Sequence, residues 1–177
     1  MSDAGLPLVL EALGFAADKH RDQRRKDAAA SPYINHPIAL ANVLVREGDV
    51  ADPVVIAAAL LHDTLEDTQT TAAELRAVFG EPIARVVAEV TDNKVLPKAE
   101  RKRLQVEHAA ALSREAKLVK LADKICNLRD MADHPPPKWD LVRRREYFDW
   151  ANAVIDRLRG VHPRLEAAFD AAFARRP

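Results

Sequence analysis

Residues 54–67 read VVIAAALLHDTLED, and the fold turns on how an apolar run can end so abruptly in ionisable side chains. Asp52 and Pro53, just before it, are an N-cap residue and a first-turn proline, so the run reads as a helix. It is apolar nearly all round, the pattern of a helix buried at the centre of its fold. Continued at 100° per residue, His62, Asp63, Glu66 and Asp67 fall at about 0, 100, 40 and 140° and share one arc. For an isolated His-Asp pair, a helix end reaching solvent is the commoner explanation. Here Asp63 stands over Asp67 at i, i+4 beside Glu66, and like charges so placed repel unless a cation compensates. A metal site is the economical reading.

The segments on either side also read as helices. Residues 6–24 form a first helix, and Pro37 opens a second that runs to about Glu47. Thr71 and Glu74 make a capping box, and Gly80 closes that short helix. Further helices are expected at 82–91, 98–113, 114–131, 139–159 and 163–174, with Pro135, Pro136 and Pro137 in a surface loop. No stretch sustains a period of two, and no repeat or low-complexity segment marks a boundary. The expected fold is all-α, a compact orthogonal helical bundle, with residues 1–177 in one domain.

Bulk properties narrow the function. The 177 residues are 48% hydrophobic and 31% charged, the profile of a globular chain. A chain of this size buries about 70% of the surface its unfolded form exposes, so it needs no metal merely to fold. Lys plus Arg and Asp plus Glu each number 27, so no net field draws it to nucleic acid or an acidic membrane. The longest apolar run, VVIAAALL, is far short of the roughly 20 residues of a membrane span. The N-terminus MSDAGLPLVL lacks a basic leader and the single Cys126 cannot form an internal disulfide, which points to the cytoplasm.

One His-Asp pair supplies too few ligands, and a mixed imidazole and carboxylate set points to manganese, iron or zinc ahead of calcium. His36, in SPYINHP, is one further candidate, although alone it reads more simply as a satisfied core histidine. Asp123, in VKLADKICNLRD, is the other. There Leu118, Leu121, Ala122, Ile125 and Leu128 form an apolar stripe, while Asp123 and Asn127 share the other face. Taken alone, Asp123 would be the exposed partner of Lys120, so it is the set that favours a metal. Arg24, Arg25 and Lys26 end the first helix, where cations complement the macrodipole. A guanidinium there would equally stack on a base or pair with phosphate.

The pieces FAADKHRDQRRKD, SPYINHP, LLHDTLEDT, VTDNKVLPKAERKRLQ, AKLVKLADKICNLRD and REYFDWA follow one another over most of residues 14–151. In that order the sequence resembles the HD-domain hydrolases of the RelA/SpoT group, in their small stand-alone form. The combination of HDTLED with LADKICNLR is the specific part. The resemblance implies an HD-domain bundle with His36, His62, Asp63 and Asp123 as ligands to manganese. It implies that Glu66 and Asp67 handle the attacking water and proton transfer. Arg25, Lys26 and Asn127 would contact the nucleotide, Arg25 against the guanine. The implied reaction is hydrolysis of guanosine 3′,5′-bis(diphosphate), ppGpp, or its 5′-triphosphate analogue pppGpp, to GDP or GTP plus pyrophosphate.

Arg129 shares the motif but points toward the apolar stripe, so a buried ion pair is expected for it. The spacer from Lys26 to Tyr33 is about two residues longer than in the long bifunctional enzymes, and Cys126 stands where relatives often carry an aromatic or histidine. The long enzymes continue into a synthetase domain and this chain does not, so synthesis is not expected. Two alternatives stay open: removal of the 2′-phosphate of NADPH at the same site, and a catalytically inactive, metal-stabilised nucleotide-binding module.

Overall fold

The computed structural model describes residues 5–177, and among them the named elements are all helical. In chain order these are α1 (Gly5–Lys19), α2 (Asn35–Asn42), α3 (Pro53–Leu61), α4 (Thr64–Asp67), α5 (Ala72–Val90), α6 (Lys98–His108), α7 (Arg114–Asp133), α8 (Leu141–Asp156) and α9 (Pro163–Phe173). The all-α bundle expected from the sequence is the one observed. Among the described residues no helix is long and apolar enough to cross a membrane.

α3 is the centre, as its composition demands. The Asp52 carboxylate accepts from Val54 N at 2.9 Å, Pro53 sits in the first turn, and seven of the nine helical residues are buried. α1, α2, α5 and α7 pack around it, and α8 and α9 cover α7 from its other side. The elements α2, α3 and α7 therefore meet below one surface, and the polar end of α3 opens there.

Four local expectations are corrected. α1 stops at Lys19, so Arg24, Arg25 and Lys26 do not end a helix and the macrodipole explanation for them falls. Gln23 N reaches His20 O at 3.0 Å, and the chain then doubles back, with Arg25 N on Ser31 O at 2.8 Å and Tyr33 N on Gln23 O at 3.1 Å. Pro37 is the third residue of α2 and not its first, which its missing N–H permits because the first-turn donors lack helical partners anyway. A π-helical turn, Val43–Glu47, extends α2, closed by Gly48 N on Val43 O at 3.0 Å. Gly48 suits that turn, since a Cβ there would lie 2.8 Å from Leu44 O.

HDTLED does not continue α3 as one helix. α3 ends at Leu61, Asp63 takes φ −99° and ψ −1°, and α4 begins as a separate turn at Thr64, whose hydroxyl donates to Leu61 O at 2.7 Å. The four ionisable residues are thus held by a bend and not by one continuous wheel. Gly80 does break its helix, with φ 79°, but the following segment abuts it directly, so α5 is two helices joined at a kink.

Candidate active site

His36 from the first turn of α2, His62 at the end of α3 and Asp123 from the middle of α7 converge, each offering a ligand atom within 4.8 Å of the others. The two imidazole centroids are 5.3 Å apart, and His36 Nε2 lies 3.3 Å from Asp123 Oδ1. Asp63 adjoins the group through His62, its Oδ2 lying 2.8 Å from His62 Nε2, and the same oxygen accepts from the Tyr33 hydroxyl. His36 and His62 are nearly closed to solvent, and Asp123 is partly buried.

Hydrogen-bond chemistry shows what this cluster needs. His62 Nδ1 lies 2.8 Å from Ala59 O, a carbonyl that only accepts, so Nδ1 carries the proton. In the neutral ring Nε2 is then a lone pair facing a carboxylate oxygen, and two acceptors at 2.8 Å require a positive centre between them. Burial pushes His62 down, but Asp63, Asp123 and the Ala59 carbonyl together outweigh it and raise the imidazole to about 9. Burial likewise pushes Asp63 up, yet the His62 charge holds it well below the ordinary carboxylate range. Asp123 is also pushed up by burial and held well below its usual value, chiefly by Lys124, whose Nζ lies 3.0 Å from Oδ2. His36 is lowered by burial, and its Nδ1 is buried without a hydrogen-bond partner among the described residues. A divalent cation fits this donor set.

The acidic pair after the bend faces two ways. Glu66 lines a cavity of about 60 Å³ together with His62, Asp63 and Asp123. It accepts from Asp92 N at 3.2 Å and from Arg101 at 3.4 Å, and burial raises its carboxyl above the ordinary value. Asp67 instead lines a cavity of about 630 Å³ that also reaches His36, Arg25, Lys26 and Asn127. Gln23 donates to Asp67 Oδ2 at 3.2 Å and Lys94 holds the other oxygen. The i, i+4 repulsion inferred from sequence is thus relieved partly by protein groups.

Within the large cavity, Arg25 pairs with Asp130 and lies 5.7 Å from the Tyr33 ring, while Asn127 donates to Asp123 at 2.5 Å. The exposed Lys120–Asp123 pair does not exist: Lys120 is buried and donates to Val90 O at 3.0 Å. Arg129 makes its ion pair, to Glu47 at 2.6 and 2.8 Å, but both partners are half-buried and not enclosed.

A profile of the HD domain matches residues 12–149. The chain belongs to the HD-domain family. This HD-domain protein is 52% identical over 176 residues to the Danio rerio guanosine-3′,5′-bis(diphosphate) 3′-pyrophosphohydrolase MESH1, covering 99% of this chain and 98% of the relative. The Homo sapiens protein of the same name is 54% identical over 168 residues, covering 95% and 94%. A solved structure described as a metazoan ortholog of SpoT that hydrolyzes ppGpp superposes with a TM-score of 0.93 at 47% identity, covering 96% of this chain and 95% of that one. HD domains bind a divalent metal, and His36, His62 and Asp123 supply a matching set of donors.

Several residues of this HD-domain site were not singled out from sequence. Tyr33, Gln23, Lys94 and Arg101 each touch one of the key acids, and Trp139 and Tyr147 wall the large cavity. All but Trp139 lie inside stretches that carried the resemblance. Their signal was position within those stretches, without a chemistry of their own to announce them.

Proposed function

We propose that this HD-domain protein is a metal-dependent phosphohydrolase that cleaves ppGpp and pppGpp at the 3′ position, releasing pyrophosphate and GDP or GTP. The observation that carries the reading is near-full-length identity above 50% to relatives named for that reaction. The geometry agrees with it: buried cation donors stand beside a cavity large enough for a nucleotide and lined by Arg25, Lys26 and Lys98. Residues 1–177 act as one hydrolase domain, in the cytoplasm.

His36, His62, Asp63 and Asp123 would hold the ion, and two imidazoles with two carboxylates favour manganese over magnesium or calcium. Once bound, a divalent ion neutralises phosphate oxygens and lowers the pKa of a water toward neutrality. Pyrophosphate leaves intact, so the water attacks the phosphorus attached to O3′, the P–O3′ bond breaks, and O3′ must gain a proton. Glu66 faces the donors and takes the proton of the water, a task suited by its raised pKa. Asp67 faces the nucleotide side and relays a proton to the departing O3′. Arg25 and Lys26 hold the nucleotide and Asn127 reaches its ribose or phosphate. None of the relatives named above carries the NADPH reaction in its name.

The test is product analysis on ppGpp, pppGpp and NADPH with chelated protein and with manganese restored. We expect equimolar GDP and pyrophosphate from ppGpp, abolished by chelation and recovered with manganese. Release of orthophosphate, or no turnover of either guanosine nucleotide, would overturn the assignment.

A further inference from the structure

His20 and Gln23, in the turn that follows α1, have no part in the reading above. His20 is 2% exposed, and its Nδ1 lies 2.6 Å from Gln23 Oε1. The other end of the same amide, Nε2, lies 3.2 Å from Asp67 Oδ2. An ionised carboxylate only accepts, so Gln23 must turn its NH₂ toward Asp67 and its oxygen toward His20. An amide oxygen cannot donate, so the proton between them belongs to His20 Nδ1. This fixes the neutral ring as the Nδ1–H tautomer, the less common form of free histidine. The bare Nε2 is consistent, because it is buried with no hydrogen-bond partner among the described residues.

Both residues are themselves held. The His20 ring packs on Tyr33 at 4.9 Å between centroids, His20 N donates to Ala16 O at 3.0 Å, and Tyr33 N donates to Gln23 O at 3.1 Å. Against this inner support, the other oxygen of Asp67 is held by Lys94, whose side chain is 49% exposed.

We propose that His20 and Gln23 are positioning residues that aim Asp67: the buried imidazole orients the Gln23 amide, and the amide fixes the carboxylate at the boundary between the nucleotide cavity and the cation donors. Without the amide, Asp67 keeps only its exposed partner and swings toward Lys94. The proposal rests on Asp67 acting as the proton relay in ppGpp hydrolysis.

The experiment compares Gln23→Leu, His20→Leu and His20→Asn in the manganese-loaded protein. Asparagine keeps an N–H close to where Nδ1 stands, and leucine does not. Gln23→Leu removes a hydrogen bond to a charged group, which predicts a fall in kcat of about 10- to 100-fold, and His20→Leu, which frees the same amide to turn away, should lose up to about as much. KM should stay within about twofold, because the interaction matters after the nucleotide is bound. Metal content should not change. The double leucine variant should be little worse than the poorer single one, as expected of residues in one chain of contacts. His20→Asn should recover most of the loss, which a purely structural role for the ring would not allow. Should His20→Leu fold poorly, Gln23→Leu tests the same link from a half-buried position.

A second readout needs no turnover. Nitrogen-15 NMR of the His20 ring should show the Nδ1–H tautomer in the parent protein, and Gln23→Leu should abolish that preference. An Nε2–H tautomer in the parent, or normal kcat in both leucine variants, would overturn the proposal. If the parent fails to hydrolyse ppGpp, the functional reading fails first, and the tautomer alone then decides whether His20 orients Gln23.

Discussion

The two cavities that meet at the end of α3 differ in scale and in chemistry. The small one, about 60 Å³, is walled by His62, Asp63, Glu66 and Asp123, where a buried imidazole faces three partly buried carboxylates. The large one, about 630 Å³, is lined by cations and aromatic rings that keep partial contact with solvent, Arg25, Lys98 and Trp139 among them. Crowded, desolvated donors suit a single ion, and a wide mixed wall suits a nucleotide. Ion binding and nucleotide binding should therefore separate under mutation, because the two spaces share none of their described lining residues.

The largest effect should come from the small cavity. Asp123→Ala removes one member of the converging trio, and we expect loss of the ion, activity below detection and a melting temperature that no longer responds to manganese. Calorimetry with and without manganese checks this. A variant that binds the ion and turns over normally would erase the distinction between the cavities.

Next in size is the pH dependence of ion affinity. His62 is raised to about 9, so in the ion-free protein it is protonated at neutral pH, and an ion must displace that proton. Apparent affinity should therefore rise with pH by about tenfold per unit for one displaced proton, and level off near pH 9. Isothermal titration in buffers of different ionisation enthalpy measures both the slope and the released proton. A flat profile between pH 6 and about 8 would contradict the paired His62 and Asp63.

The smallest effect belongs to the large cavity. Arg25→Ala should raise KM by about tenfold with little change in kcat, because a cation on a base or phosphate is felt in the ground and transition states alike. Steady-state kinetics on ppGpp decides it. An unchanged KM would confine Arg25 to its pair with Asp130 and its contact with Tyr33.

Much of this division could be read from residue types. The apolar run of α3, the Asp52 cap and the Gly80 break are local signals, and each stands where the sequence put it. The convergence of His36, His62 and Asp123 followed from recognising a set, not from any one residue. What stayed hidden depends on tertiary partners. DKHRDQRRKD contains no helix breaker, and the chain turns at His20 because that ring packs on Tyr33 and its Nδ1 meets Gln23. The bend after Leu61 depends on the Thr64 hydroxyl taking a backbone carbonyl, which no helical wheel records. The π-helical turn depends on an absent side chain at Gly48. Lys120 misled in the other direction, since a lysine one turn from an aspartate reads as a surface pair until burial is known.

In this site His36, His62, Asp63 and Asp123 would hold the ion while Glu66 and Asp67 move protons. The direct measurement is metal content by elemental analysis beside kcat for Glu66→Gln, Asp67→Asn and the double variant. Each substitution preserves shape and removes a charge, so the ion should stay bound while kcat falls by about 10²–10⁴-fold. The double variant should be little worse than the poorer single one, because the two acids serve one relay. Loss of metal in step with activity would make these acids ligands and contradict the claim, as would full metal with near-normal kcat.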